Sequence, residues 1–251
     1  MAHIISVINH KGGVGKTTST ANVGAGLNLL RKKVLMVDTD PQANLTRHFG
    51  ISKTLDKAIY GALKGEYPLP VEKIKDGLDL APSHQDLVVW EKEFSDEPGR
   101  ELFLRDVLAP VSQNYDYVII DCPPSLNLLP LNALCTSHSI LITVEPSMFA
   151  IEGMSNIFNA VQKVRTRINK ELTGCRILIT RYHGSKSLHK QTEEVIRQNY
   201  DDLVFKTVIR TNVALEEAVM NGTDIFSYDQ RSNGATDYKS VCNEILKIKQ
   251  W

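Results

Sequence analysis

Short apolar stretches recur along the chain, and most of them stop at an acid or run into a proline. They fall at residues 4–8, 33–37, 78–81, 117–120, 139–144, 176–179 and 205–209. Their β-branched content and lack of a polar face predict strands buried on both sides, as in a parallel sheet. Between them lie stretches with apolar residues three or four apart, at residues 19–30, 86–94, 100–111 and 151–168, which predict helices. In residues 100–111 the apolar face is Leu102, Leu104, Val107 and Leu108. Strands alternating with helices predict an α/β fold: a doubly wound, mostly parallel sheet with helices on both faces. Residues 52–77 break this rhythm, because Gly61, Gly65, Pro68 and Pro70 divide them into short helices and loops. Near the C-terminus, Val241, Ile245 and Leu246 form the docking face of a last helix.

Composition adds bounds. The 251 residues are 42% hydrophobic and 23% charged, an ordinary globular balance with enough chain for a large core. No internal repeat, linker or low-complexity tract interrupts the pattern, so one domain over residues 1–251 is expected. No segment approaches the ~18 apolar residues of a membrane span. The first strand begins near residue 3, so no leader is expected. Cys122, Cys135, Cys175 and Cys242 are far apart with no C-x-x-C pair, which fits reduced thiols in a cytoplasm better than disulfides or a zinc site. Formal net charge is zero, which argues against a wholesale basic nucleic-acid binder. Cations nevertheless gather at 163–190, where Lys163, Arg165, Arg167, Lys170, Arg176, Arg181, Lys186 and Lys190 face one acid, Glu171.

The candidate chemistry begins right after the first strand. His10-Lys11-Gly12-Gly13-Val14-Gly15-Lys16-Thr17-Thr18 separates that strand from the first helix. In this setting glycines turn backbone N–H groups inward around a phosphate, and the helix N-terminus adds its dipole. Lys16 is placed for the β/γ-phosphates, and the Thr17 hydroxyl for Mg²⁺. Two further strands end in acids at Asp38 and Asp121. The first leads into Asp38-Thr39-Asp40-Pro41, a proline-stopped loop at a strand's carboxyl end, where ligands of open α/β sheets sit. The second, Tyr117-Val118-Ile119-Ile120-Asp121, carries a carboxylate to its tip in the manner of a Walker B strand, suited to Mg²⁺ or its waters. Trp90 reads as core or partner contact rather than a base-stacking platform.

The usual phosphate loop has glycine where this chain has His10, and this chain adds Lys11 before the glycine pair. Lys11-Gly12-Gly13-Val14-Gly15-Lys16-Thr17-Thr18 resembles the deviant Walker A motif of the ParA/MinD family of ATPases. Asp38-Thr39-Asp40-Pro41-Gln42-Ala43-Asn44-Leu45-Thr46 resembles its switch I, and Asp121-Cys122-Pro123-Pro124-Ser125 its D-x-P-P-S switch II. The likeness runs from residue 3 to about 246, with Asn212 to Ala218 and Tyr228 to Ala235 closest to chromosome- and plasmid-partition ATPases. It implies a cofactor set of ATP and Mg²⁺, with slow, partner-stimulated hydrolysis. The nucleotide would be held by Lys11, Gly12, Gly13, Val14, Gly15, Lys16, Thr17 and Thr18. Thr17, Asp40 and Asp121 would organise the metal, and Asp40 would position the attacking water. Lys11 would reach across an ATP-bound homodimer to the partner's phosphates. Thr180-Arg181-Tyr182-His183 and Ile209-Arg210-Thr211-Asn212, at two strand ends, would hold adenine, with Arg181, Ile209 and Arg210 nearest. A plain loop reading of Tyr182 and His183 stands beside that one.

The resemblance also implies non-specific DNA, a ParB-like adaptor and a cytoplasmic, nucleoid-associated protein. Here the chain departs from the family. Partition ATPases often carry a pattern like P-R-N-V-R-L after the last strand, whereas this chain reads Arg210-Thr211-Asn212-Val213-Ala214-Leu215. A DNA surface would then rest on Arg165, Lys186 and Lys190, with Lys206, Arg210, Lys239, Lys247 and Lys249 as further contributors. The alternative is a MinD-like or cargo-positioning ATPase acting on membrane or protein; Lys247, Lys249 and Trp251 make a poor membrane anchor. A metabolic ligase or reductase component is disfavoured, since there is no cysteine cluster for an iron–sulfur centre and no substrate domain.

Overall fold

The computed structural model describes residues 2–51, 57–125, 127–147 and 150–248. Residues 52–56 of the 52–77 stretch, and Lys249 and Trp251 of the tail, lie outside them. The strands are β1 (His3–Ile8), β2 (Val34–Asp38), β3 (Glu72–Lys75), β4 (Leu78–Ala81), β5 (Tyr117–Asp121), β6 (Ser139–Val144) and β7 (Gly174–Ile179). They form one seven-stranded sheet in the order β3-β4-β2-β5-β1-β6-β7. All neighbours are parallel except β3, which pairs antiparallel with β4 at the edge.

The helices before the middle of the chain are α1 (Lys16–Leu29), α2 (Asn44–His48), α3 (Ile59–Leu63), α4 (Leu87–Glu93) and α5 (Phe103–Ser112). After it come α6 (Leu128–Thr136), α7 (Ala150–Arg167), α8 (Ser187–Tyr200), α9 (Val213–Met220), α10 (Ile225–Tyr228) and α11 (Asn233–Lys247). The pleat sends alternate residues to opposite faces, so each buried strand feeds two cores. Leu35, Val118, Ile120 and Ile140 join the core that holds Trp90, Met154 and Ile157. Met36, Ile119 and Leu141 join the other, with Val23, Leu27, Tyr238 and Val241 from α1 and α11. Trp90 is fully buried against Phe94 and Phe103, and so is core.

The expected architecture is present, with three corrections. Residues 205–209 form no strand, although Phe205 and Ile209 are buried. The Phe205 and Ile209 N–H groups donate to Ile177 and Ile179 carbonyls of β7, at 3.0 and 2.8 Å. The Lys206 and Thr207 N–H groups go instead to the Glu244 carboxylate of α11, at 2.8 and 3.0 Å, which breaks the ladder. The strand β3 was not expected; its residues are exposed or half-buried and carry no apolar signal. In the tail Val241 and Ile245 face the core, whereas Leu246 is exposed. No described helix is long and apolar enough to cross a membrane.

The helices α1 and α11 approach closely at Gly26. A β-carbon there would lie 2.5 Å from the Cys242 sulfur and 3.2 Å from the Phe226 ring. Nearby, Ser19 Oγ and Tyr238 Oη share a hydrogen bond of 3.0 Å. Glycine to alanine inside a helix ordinarily gains about 1 kcal/mol. Here overpacking reverses the sign, and Gly26→Ala should destabilise by about 1–3 kcal/mol. Adding Cys242→Ala should recover much of that loss. Denaturant unfolding of the single and double variants checks both the sign and the recovery.

Candidate nucleotide site

The site lies at the carboxyl ends of β1, β2, β5 and β7, and the loop after β1 is pinned there before it turns. Asn9 Nδ2 donates to the Thr143 carbonyl of β6 at 2.7 Å, and Asn9 Oδ1 accepts the Lys11 N–H at 3.0 Å. From beyond β7, Thr180 Oγ1 donates to the Val14 carbonyl at 2.8 Å. Gly13 and Gly15 have φ of +75° and +79°, the left-handed region that other residues rarely adopt. The nearest atom to an added β-carbon at Gly15 would be 3.6 Å away, so conformation rather than space requires glycine there.

Lys16 is buried, and its Nζ bends back to the Lys11 carbonyl at 3.1 Å. Burial lowers its pKa, against the opposing pull of Asp121 and Asp40. Thr17 Oγ1 donates to Asp121 Oδ2 at 2.7 Å, and Thr20 Oγ1 to Oδ1 at 3.3 Å. The β2–β5 register sets Asp38 directly beside Asp121, and both are fully buried. Burial, and then the charge of Asp38, raise the Asp121 carboxyl well above the usual carboxylate range. Asp38 is pushed up to about 7, chiefly by burial and despite hydrogen bonds from Thr46 and Asp40. Two buried carboxylates side by side call for a cation, and the available donors, a hydroxyl and carboxylates, are the hard oxygens that suit Mg²⁺. Among the described residues no group of three or more His, Cys, Asp or Glu side chains could hold a metal.

A cavity of about 700 Å³ opens above these groups, lined by Gly12, Gly13, Gly15, Lys16, Thr17, Thr18, Asp40 and Arg181 among others. Val14 is buried and Lys11 is exposed; neither lines this cavity. Asp40 is buried, and its Oδ1 accepts the Gln42 N–H at 2.9 Å. A smaller hollow of about 90 Å³ adjoins it, sharing Gly15, Thr18, Arg181 and Val219 and adding Ile209, Arg210, Leu215 and Tyr238. The three residues expected near adenine therefore come together. Arg210, however, gives its guanidinium to Asp237 of α11, with contacts of 2.6–3.2 Å. Arg181, at φ +50°, lies 3.7 Å from Glu145.

The basic stretch at 163–190 is divided. Lys163 and Arg167 flank an apolar groove between α6 and α7, Arg176 is half-buried on β7, and Arg181 stands at the cavity. Arg165 is exposed on α7. Lys186 and Lys190 are exposed one turn apart at the start of α8, where the Lys190 N–H donates to the Lys186 carbonyl. Lys190 shares an open groove with Glu193 and Glu194. Thr180 was singled out in the sequence only as part of a strand end, not for its bond to the loop, and Asn9 and Asp237 were missed; Asn9, the first polar residue past β1, left a readable sign, whereas Asp237 left none.

A backbone cradle ahead of a helix, closed over a buried lysine, is built for a chain of phosphates, which sets the class: a phosphate-loop nucleoside-triphosphatase fold. The AAA domain family matches residues 2–174. The sporulation initiation inhibitor protein Soj of Bacillus subtilis is 40% identical over 98% of this chain and 98% of its own. The chromosome partitioning protein ParA of Caulobacter vibrioides is 34% identical over 97% and 93%. The chain belongs to this family, within its Soj/ParA group of partitioning ATPases. Among solved structures, a cobyrinic acid a,c-diamide synthase from Mycobacterium smegmatis with a bound ATP analogue and magnesium has a TM-score of 0.88. It is 28% identical, covering 98% of this chain and 95% of that one.

Proposed function

We propose that residues 1–251 form a single ATPase domain that binds ATP with Mg²⁺, dimerises on it, and positions plasmid or chromosome DNA. The observation that carries this reading is the convergence of the glycine loop, Lys16, Thr17 and Asp40 on one cavity, with Asp121 buried behind Thr17 and bonded to it. The names of the Soj and ParA relatives support partition, and the nucleotide and magnesium of the solved neighbour support the ligands.

In this reading the loop N–H groups and Lys16 hold the phosphates, and Thr17 and Asp121 hold Mg²⁺. The ion, when bound, supplies charge neutralisation on the phosphates. Asp40 holds the attacking water in line, so the chain contributes positioning rather than covalent chemistry. Ile209 and Leu215 form an apolar wall for the base, and Arg210, tied to Asp237, fixes the connector that carries Ile209. Lys11, exposed beside the cavity, is free of that lining and suits the role of reaching a second copy's phosphates. Exposed Arg165, Lys186 and Lys190 form the non-specific DNA surface, and a ParB-like adaptor stimulates turnover. The protein acts in the cytoplasm on the nucleoid.

Lys16→Ala should weaken ATP and ADP binding by about 100-fold or more, close to 2.7 kcal/mol. Asp40→Ala should bind ATP normally and lose about 100-fold or more in turnover. Nucleotide titration and phosphate release on both variants decide this; wild-type hydrolysis by Asp40→Ala removes the water-orienting role.

On DNA, two copies joined by ATP should bind duplex far better than one, because the second contact becomes intramolecular. Binding should ignore sequence and fall steeply between low and physiological salt. Reversing Lys186 and Lys190 to Glu should weaken it about tenfold or more and leave ATP-dependent dimerisation intact. Filter binding on a non-specific duplex with ATP tests this, and absence of binding at low salt moves the cargo from DNA to protein or membrane.

A further inference from the structure

Asp40 sits in a loop, yet both of its main-chain groups are held from inside the protein. Its N–H donates to Asp38 Oδ1 at 3.1 Å. Its carbonyl accepts Ser83 Oγ at 2.7 Å and the Ala43 N–H at 2.8 Å. Ser83 in turn donates its own N–H to Thr46 Oγ1 at 2.9 Å. Thr46 returns to the start, giving both its N–H and its hydroxyl to Asp38 Oδ2 at 2.8 Å each. Asp38, Thr46, Ser83 and Asp40 thus close a ring of hydrogen bonds, and every member is buried.

Strand register explains how a distant residue enters this ring. The strands β2 and β4 run parallel with Val37 beside Ala81, so two residues further on Ser83 stands abreast of the loop that follows β2. Pro82 precedes it and fixes the backbone as it leaves the sheet. Ser83 lies outside the Asp38–Thr46 motif and outside the lining of the cavity.

We infer that Ser83 is a positioning residue for hydrolysis: it fixes the Asp40 carboxylate by clamping the Asp40 main chain to the tip of β4. The inference rests on the reading of Asp40 as the group that holds the attacking water. Positioning of this kind matters because displacements near 1 Å can cost about 100-fold in rate. Removing the Ser83 hydroxyl leaves the Asp40 carbonyl with the Ala43 N–H and leaves the Ser83 N–H on Thr46, so no buried backbone group is orphaned. A loss of turnover without a matching loss of stability is therefore the expected signature.

The test is single-turnover phosphate release, ATP affinity and thermal unfolding for Ser83→Ala, Thr46→Ser, Thr46→Val, Asp40→Ala and the Ser83→Ala/Asp40→Ala pair. Ser83→Ala should lower the hydrolysis rate about tenfold, with ATP affinity within about twofold of wild type. Thr46→Val, which breaks the same ring, should act in the same direction, while Thr46→Ser, which keeps the hydroxyl, should retain near wild-type turnover. In the Asp40→Ala background Ser83→Ala should change nothing further. Wild-type turnover in Ser83→Ala while Asp40→Ala is inactive overturns the role of Ser83 alone. An equal loss in affinity and rate, or a full Ser83→Ala effect without Asp40, also overturns it. Wild-type turnover in Asp40→Ala overturns the underlying reading of Asp40, and the Ser83 role with it.

Discussion

Asp38 and Asp121 sit side by side at the tips of β2 and β5, without access to water, and the site is arranged around that repulsion. A buried carboxylate is unfavourable unless bonded or paired, and two in register are worse. The surrounding residues hydrogen-bond each carboxyl separately. Thr17 and Thr20 of α1 give hydroxyls to Asp121, which ties the phosphate-loop helix to the strand tip. Thr46 and the Asp40 N–H serve Asp38, which ties the loop after β2 to the neighbouring tip. Lys16 adds a positive charge on the same side. In the proposed reading, a divalent cation held near these tips would relieve the pair.

A second constraint comes from the C-terminal helix. One edge of α11 reaches the phosphate-loop helix through Tyr238 and Cys242, and another reaches the 204–212 connector through Glu244 and Asp237. The helix therefore spans the two adjoining hollows, the one at the glycine loop and the one with Ile209 and Arg210. Little in this brace touches the cavity itself, apart from Tyr238. It ties the two hollows together, and in the proposed reading these would take the phosphates and the base of the nucleotide.

Residues whose role follows from their local setting were legible in the sequence. Gly13, Gly15, Lys16 and Thr17 stand between an apolar strand and a helix, and Asp121 ends an unbroken apolar run, so context alone marked them. The strands β4, β5 and β6 were legible for the same reason. Residues whose role depends on register were not. Ser83 reaches Asp40 only because β4 lies beside β2, and Asp237 reaches Arg210 only because α11 folds back over the connector. The 205–209 stretch misled because its apolar pattern is real while Glu244, far along the chain, claims two of its N–H groups. The edge strand β3 was silent, its residues exposed or half-buried and without an apolar run. The basic cluster looked continuous along the chain but is spread over α7, β7 and α8.

Lys11 carries the central claim, that this ATPase works as an ATP-bound pair. Its main chain is fixed by Asn9 and Lys16, while the residue is exposed beside the cavity rather than in its lining. Sedimentation of wild type and Lys11→Ala with ATP and Mg²⁺, with nucleotide affinity measured in parallel, tests it directly. The account predicts a dimer for wild type, and for Lys11→Ala a monomer that still binds ATP within a fewfold of wild type. A Lys11→Ala protein that dimerises on ATP and hydrolyses at the wild-type rate would contradict it.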